Sequence, residues 1–405
     1  MMDTPHPAPS RPQVYRHFHR IAWLAVALTF GVIVFGAFVR LSDAGLSCPD
    51  WPTCYGRAAW PQAAQDVSDH AASAIRPFET AKAWREQVHR HLAATLGVLV
   101  LVLALLAARR RRFGVATVLV ASALVAAAIP LYMRGQVLPA LLVAGLGEAL
   151  LLVAALRWSG IGGARAGAPA DLANVAALTL AVVIFQALLG KWTVTMLLKP
   201  VIVMGHLLGG MLTFSLLAWM AWRATHLPLV HADAAQLRRW LLAGVAALGV
   251  QIALGGWVSA NYAALACGAG GWTTAQPHYA DFPKCVGQWW PTTDFREGFV
   301  LWRGVGVDYE GGVLDGASRI AIQMAHRLFA IVAAAMLLAA SWRLARMPGL
   351  RGWALALALL TLAQVLLGVL NVKLSLPLPV AVMHNGGAAL LLFVLVSLLA
   401  RLRRP

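Results

Sequence analysis

An all-α polytopic membrane protein is what this sequence predicts: two parallel-related four-helix bundles in a tandem pseudo-two-fold repeat, plus an extra helical hairpin, with 8–10 transmembrane helices. Three observations predict it. Residues of the AVILMFWYC set make up 60% of the 405, and the four charged types only 12%. That is about half the ~25% of a soluble domain, too little charge to coat a water-soluble globule. Apolar runs recur near the ~20 residues needed to cross a bilayer, and motifs of the first half return in the second in the same order. Together these exclude a soluble enzyme, a disordered chain and a secreted disulfide scaffold.

In chain order the apolar runs lie at about 21–41, 90–108, 114–133, 137–157, 172–195, 201–222, 238–260, 320–341, 352–373 and 379–400. Arg11, Arg16 and Arg20 precede the first run and no small-residue cleavage site follows, so it reads as an uncleaved anchor. The net charge of +17 sits at the ends of apolar runs, which makes it a topology signal rather than a groove for nucleic acid. A cytoplasmic N-terminus places Arg109–Arg112, Arg157 with Arg165, Arg238 with Arg239, Arg343 with Arg346, and Arg401 to Arg404 all inside. Both termini are then cytoplasmic in a bacterial-type inner membrane. Loops at about 42–88 and 261–319 lie outside, with short connections around Arg134, Lys199 and Pro377. The expected segments are a cytoplasmic tail 1–20, an N-terminal bundle 21–224, a cytoplasmic linker 225–237 and a C-terminal bundle 238–401.

The repeat decides the architecture. GAFVRLSDAGLSC at 36–48 matches GGWVSANYAALAC at 255–267 at a constant offset of 219. Gln186-Ala-Leu-Leu-Gly190 precedes His206 by 20 residues, and Gln364-Val-Leu-Leu-Gly368 precedes His384 by the same 20. His89-Arg90 answers His326-Arg327. The first half carries 59 extra residues between the last two motifs, accounting for a hairpin at about 114–157. That hairpin holds Pro130 and Glu148. A carboxylate inside a span costs ~2.5 kcal/mol or more, so Glu148 is protonated, paired or in a segment that does not cross, and a structural role is expected.

Of 12 histidines, His89, His91, His206, His326 and His384 lie in or at the edge of spans. His89, His206, His326 and His384 fall in the first turns of helices running from outside to inside, and so share one depth. Two imidazoles facing each other across a bundle are the usual axial ligands of a b-type haem, and small neighbours such as Gly209, Gly210, Gly386 and Gly387 leave room for a macrocycle. The competing reading is four interhelical hydrogen-bond partners. Repeat-related placement favours haem iron as the metal, whereas zinc would want a compact Cys/His set that is not seen. His91 is rotated to another face and is expected to pack or sit at the interface.

The halves differ three residues before the first histidine: Glu86 against Gln323. A carboxylate one turn from His89 can accept a proton and an amide cannot, so catalysis is expected in the first half, on Glu86. A helix first-turn acid favoured by the macrodipole is the alternative. Arg90 and Arg327 are candidate partners for haem propionates, with snorkelling to the interface the other account. Cys48, Cys54, Cys267 and Cys285 all fall in outside loops, where disulfides form. The repeat suggests one bridge per half, as a staple or as a reducible pair across the Pro-rich first loop. Trp272, Trp289, Trp290 and Trp302 suit a loop capping the bundle or anchored at the interface.

GAFVRLSDAGLSCPDWPTCYG, Glu86-Gln-Val-His89-Arg90, QALLGKWTVT before His206, QMAHR at 323–327 and QVLLG before His384 together resemble the haem A synthase family, CtaA/Cox15, over nearly the whole chain. The resemblance implies a haem-dependent oxidoreductase converting haem O to haem A by stepwise oxidation of a ring methyl to a formyl group, for cytochrome c oxidase biogenesis. It implies a haem b cofactor on His326 and His384, substrate haem near His89 and His206, and Glu86 as an essential acid. Candidate partners are haem O, a haem O synthase, cytochrome c oxidase assembly factors, the lipid bilayer and a second copy of the chain, with no nucleic acid. The hairpin departs from the family pattern. The rival reading is a di-haem b-type electron-transfer cytochrome without methyl chemistry, indifferent to Glu86. A transporter is disfavoured by the scarcity of mid-membrane charge.

Overall fold

The computed structural model describes residues 17–68, 77–160, 172–225, 227–268 and 282–404. Arg11, Arg16, Arg165 and Trp272 lie outside the described residues. The long helices are α1 Phe18–Leu41, α2 Thr80–Ala108, α3 Gly114–Met133, α4 Val137–Gly160, α5 Ala173–Thr195, α6 Pro200–Thr225 and α7 Ala234–Ala260. After the short α8 Phe295–Gly298 come α9 Gly316–Ala345, α10 Arg351–Lys373 and α11 Leu378–Arg401. Ten of these helices are long and apolar enough to span a bilayer, at the ten expected places. One small element was not foreseen: β1 Leu229–Val230 pairs in parallel with β2 Leu402–Arg403.

Several boundaries differ from the apolar runs. Helix α2 starts ten residues before its run and α9 four before, while α1 starts early enough to take His19 into its first turn. His89 and His326 therefore sit about three turns into their helices rather than in the first turn. The reason is that the polar opening turns of α2 and α9 pack against the extramembrane loops, so hydropathy alone understates the helices. The loops shrink accordingly to about 42–79 and 261–315.

Helix ends repeat as the sequence does. After α1 the Ala44 N–H bonds the Val39 carbonyl (3.0 Å), and after α7 Ala263 bonds Val258 (2.9 Å). After α5 Leu198 bonds Thr193 (2.8 Å), and after α10 Leu376 bonds Asn371 (2.7 Å). Each is the six-residue closure of a Schellman ending, with a left-handed residue in the turn: Asp43, Tyr262, Leu197 and Ser375. Both loops also contain the same tight turn. Cys54 pairs with Arg57 and Cys285 with Gln288, across Gly56 (φ +72) and Gly287 (φ +76), where a left-handed backbone favours glycine.

The chain packs as two compact units. One takes residues up to Ala27, Gly97–Ile184 and Leu216–Leu227. In it, α3 and α4 form a hairpin in which a Cβ at Gly147 would come 2.7 Å from the Ala121 carbonyl. Trp23 meets Trp222 edge-on and bonds the Thr225 hydroxyl at 3.1 Å. Glu148 is half-buried there, and its Oε2 is buried with no hydrogen-bond partner among the described residues.

The other unit holds Leu28–Leu96, Phe185–Ser215 and everything from Pro228 onward. Its helices α7, α9, α10 and α11 close a ring, α9 packing on α7 and α10, and α11 on α10 and α7. Ser341 bonds the Ala354 carbonyl across α9 and α10 (2.7 Å), and Arg238 bonds the Leu399 carbonyl across α7 and α11 (3.0 Å). Arg40, at the end of α1, ties to the end of α7 through the Ser259 carbonyl (2.7 Å) and the Tyr262 hydroxyl (3.0 Å).

Candidate functional site

All four repeat-related histidines lie in the second unit, and each sits in a notch made by a glycine on a neighbouring helix. A Cβ at Gly36 of α1 would come 2.7 Å from His89 Nε2 of α2. A Cβ at Gly190 of α5 would meet His206 of α6 at 3.3 Å. In the second half, Gly255 of α7 faces His326 of α9 at 3.1 Å, and Gly368 of α10 faces His384 of α11 at 3.2 Å. Small residues thus let paired helices approach with an imidazole wedged between them. The two expected pairs, His89 with His206 and His326 with His384, thus all come from helices represented in this one unit.

The glycines expected to leave room for a macrocycle do something else. A Cβ at Gly209 would strike the Gln186 amide at 2.6 Å, and one at Gly387 would strike that of Gln364 at 2.3 Å. Those amides donate to the backbone carbonyls of His206 and His384, both at 2.8 Å. A Cβ at Gly210 would lie 3.4 Å from the Gln186 amide, and one at Gly386 would lie 3.3 Å from Val34. Each Gln-x-x-x-Gly echo is therefore one device: its glutamine fixes the histidine's backbone and its glycine accommodates the ring.

The ring nitrogens suit an iron macrocycle. Nδ1 of His206 and of His384 are buried and have no hydrogen-bond partner among the described residues, a costly state for a polar atom unless a ligand takes that nitrogen. Gln251, on α7, sets its amide nitrogen 3.1 Å from His326 Nδ1. The corresponding first-half position is Val32, whose backbone meets the His89 ring instead, so only the side-chain amide is peculiar to the second site. Sequence reading missed it because Gln251 lies outside every echoed motif.

Glu86 is 5% exposed. Its Oε2 accepts the Cys48 N–H at 2.8 Å, and its Oε1 is paired with Arg90, one turn on. Helix α2 begins at Thr80, so Glu86 is not a first-turn acid and the macrodipole account of it fails. The equivalent Gln323 reverses the polarity, its amide donating to the Ala264 carbonyl at 3.0 Å. The Glu/Gln difference is thus matched by a difference in loop contact, with a buried carboxylate meeting a donor in one half and an amide meeting an acceptor in the other.

Arg90 is committed to the loop. Besides Glu86, its guanidinium donates to the carbonyls of Asp50 (2.7 Å), Thr53 (2.7 Å) and Cys48 (3.0 Å). That occupies the group expected to greet a propionate. Arg327 donates to the Lys284 carbonyl at 3.4 Å and lies over the Phe282 ring. His91 is exposed and bonds the Ala58 carbonyl of the first loop at 3.0 Å. Disulfides Cys48–Cys54 and Cys267–Cys285 give one bridge per half. Within the first loop, burial pushes the Asp50 carboxyl up. Hydrogen bonds from the Thr53 hydroxyl and the N–H groups of Gly56 and Tyr55 outweigh burial and hold it below the ordinary carboxylate value. Trp289, Trp290 and Trp302 are all well exposed.

Fold and site define a class: a polytopic helical membrane protein with four repeat-related histidines seated in glycine notches, two in each half, and a buried carboxylate one turn from one of them. The family model for COX15-CtaA, described as cytochrome oxidase assembly protein, matches twice, over residues 19–166 and 141–396. The chain is 35% identical over 386 residues to the Heme A synthase of Shewanella oneidensis, covering 94% of this chain and 96% of that one. It is 25% identical over 410 residues to the Heme A synthase of Caulobacter vibrioides, covering 95% and 96%. The chain belongs to the COX15-CtaA family.

Proposed function

We propose that this chain is a haem A synthase that seats its haem O substrate between His89 and His206 and a haem b cofactor between His326 and His384. It converts haem O to haem A for cytochrome oxidase assembly, as the relatives' names and the family description support. The observation that carries the assignment of halves is the environment of Glu86: a buried carboxylate one turn from His89, replaced by Gln323 beside His326.

Each residue has a derivable part. His89 and His206 present ring nitrogens to the substrate iron and fix the macrocycle's position, their helices held close by Gly36 and Gly190. Oxidising a ring methyl to a formyl group releases protons together with the electrons that pass to the redox cofactor. Glu86, a buried carboxylate one turn from His89, is placed to take the protons. Arg90 holds Glu86 and the loop in register. Haem b, when bound, supplies one-electron redox chemistry. His326, Gln251 and His384 hold its place.

The architecture behind this is two parallel-related four-helix bundles, α1, α2, α5 and α6 against α7, α9, α10 and α11, with α3–α4 as an inserted hairpin. The recurring helix endings, glycine notches and loop turns support it. Positive-inside asymmetry supports a bacterial-type inner membrane with both termini cytoplasmic. The assignment is tested by co-expression with a source of haem O and chromatography of the extracted haems. Haem A appears if it is right. A folded, haem-loaded sample that never yields haem A would instead mark a plain di-haem cytochrome.

A further inference from the structure

Lys199 caps the start of α6 and is 1% exposed, yet its Nζ has no hydrogen-bond partner among the described residues. Its ammonium lies 3.5 Å from the centroid of the Trp302 ring. The ring face attracts the ammonium but carries no formal negative charge, and no carboxylate among the described residues bonds Nζ, so its N–H donors are left for an anion. The turn is held firmly around it. Leu197 and Leu198 both adopt the left-handed backbone, and the Tyr309 N–H bonds the Leu197 carbonyl at 3.0 Å, holding the Trp302 segment over the turn.

Position decides what the anion is. Lys199 precedes His206 by seven residues, and its carbonyl accepts the Ile202 N–H that opens α6 (2.9 Å), so it sits at the helix start roughly 10 Å along the axis from His206. A macrocycle seated on His206 with its carboxylate edge toward the loops brings that edge to Lys199, while Arg90 is already spent on the first loop. The offset of 178 that carries His206 to His384 carries Lys199 to Pro377, so the feature belongs to the first half only.

We propose that Lys199 is a positioning residue that binds a propionate carboxylate of the haem substrate and sets the in-plane orientation of the ring. This rests on the assignment of His89 and His206 to haem O. The test is a Soret titration of purified full-length chain in nanodiscs with haem O and with its dimethyl ester, in which both propionates are masked. Wild type binds the ester about tenfold more weakly than the acid, Lys199→Met binds both at the weaker level, and Lys199→Arg restores the preference. Resident haem b content is unchanged in all three. Equal binding of acid and ester by wild type overturns the proposal without needing any variant, as does a Lys199→Met protein that keeps the preference. His206→Ala separates the two levels. If it binds haem O as wild type does, the assignment of the substrate half fails. If it loses haem O while Lys199→Met keeps the preference, only the lysine proposal fails.

Discussion

At the scale of single residues, Glu86 and the glycines behind the histidines distinguish and shape the two halves. Glu86→Gln keeps the side chain's shape but removes its charge and basicity. It should leave haem b content near that of wild type and abolish haem A formation, which extracted-haem chromatography reads directly. Normal turnover in that variant would remove Glu86 from the mechanism. A side chain at Gly36 collides with His89 and one at Gly255 with His326, an overpacking cost of ~1–3 kcal/mol. Gly36→Leu should therefore lose substrate retention with haem b intact, and Gly255→Leu the converse. These glycines were in plain sight as the first residue of each GAFVR-type motif and the last of each Gln-x-x-x-Gly echo. Their partners were not, because which ring a small residue faces depends on helix rotation, and spacing along one helix does not fix rotation against another. Lys199 escaped for a related reason, since a lysine beside a turn reads as solvated until the covering loop is placed.

Among elements, the first loop and α2 behave as one piece. Arg90 gathers three loop carbonyls, Glu86 takes the Cys48 N–H, and Asp50 closes the turn by accepting from Gly56 at 2.8 Å. Asp50 is held below its ordinary value, so its contribution is complete above the unfolded carboxylate range and disappears as pH falls through the lowered folded value. Hydrogen exchange at the Tyr55 and Gly56 amides should stay slow at neutral pH and quicken only in acid. Asp50→Asn should make it fast at neutral pH, and exchange indifferent to both changes would show that Asp50 does not order the turn. Helix existence was legible for all ten long helices because a run of apolar residues is a direct solvent signal. The starts of α2 and α9 were not, since their opening turns answer to loop contacts instead of lipid.

Across the whole chain, the duplicated imidazole pairs are the organising feature, and the repeat that exposed them is written equally in sequence offsets and in helix endings. What the repeat could not give is which half does chemistry; that came from the places where symmetry breaks, at Glu86/Gln323, Val32/Gln251 and Lys199/Pro377. The hairpin α3–α4 stands outside the repeat, and the second half's ring of four helices closes without an equivalent. The most direct test is the identity and stoichiometry of haem in His-to-Ala variants of each pair, measured by pyridine haemochrome and chromatography on protein expressed with haem O. His326→Ala and His384→Ala should each lose haem b, while His89→Ala and His206→Ala should keep haem b and lose haem O and haem A. Loss of the same haem from variants of both pairs, or from neither, would contradict a division of the molecule into a cofactor half and a substrate half.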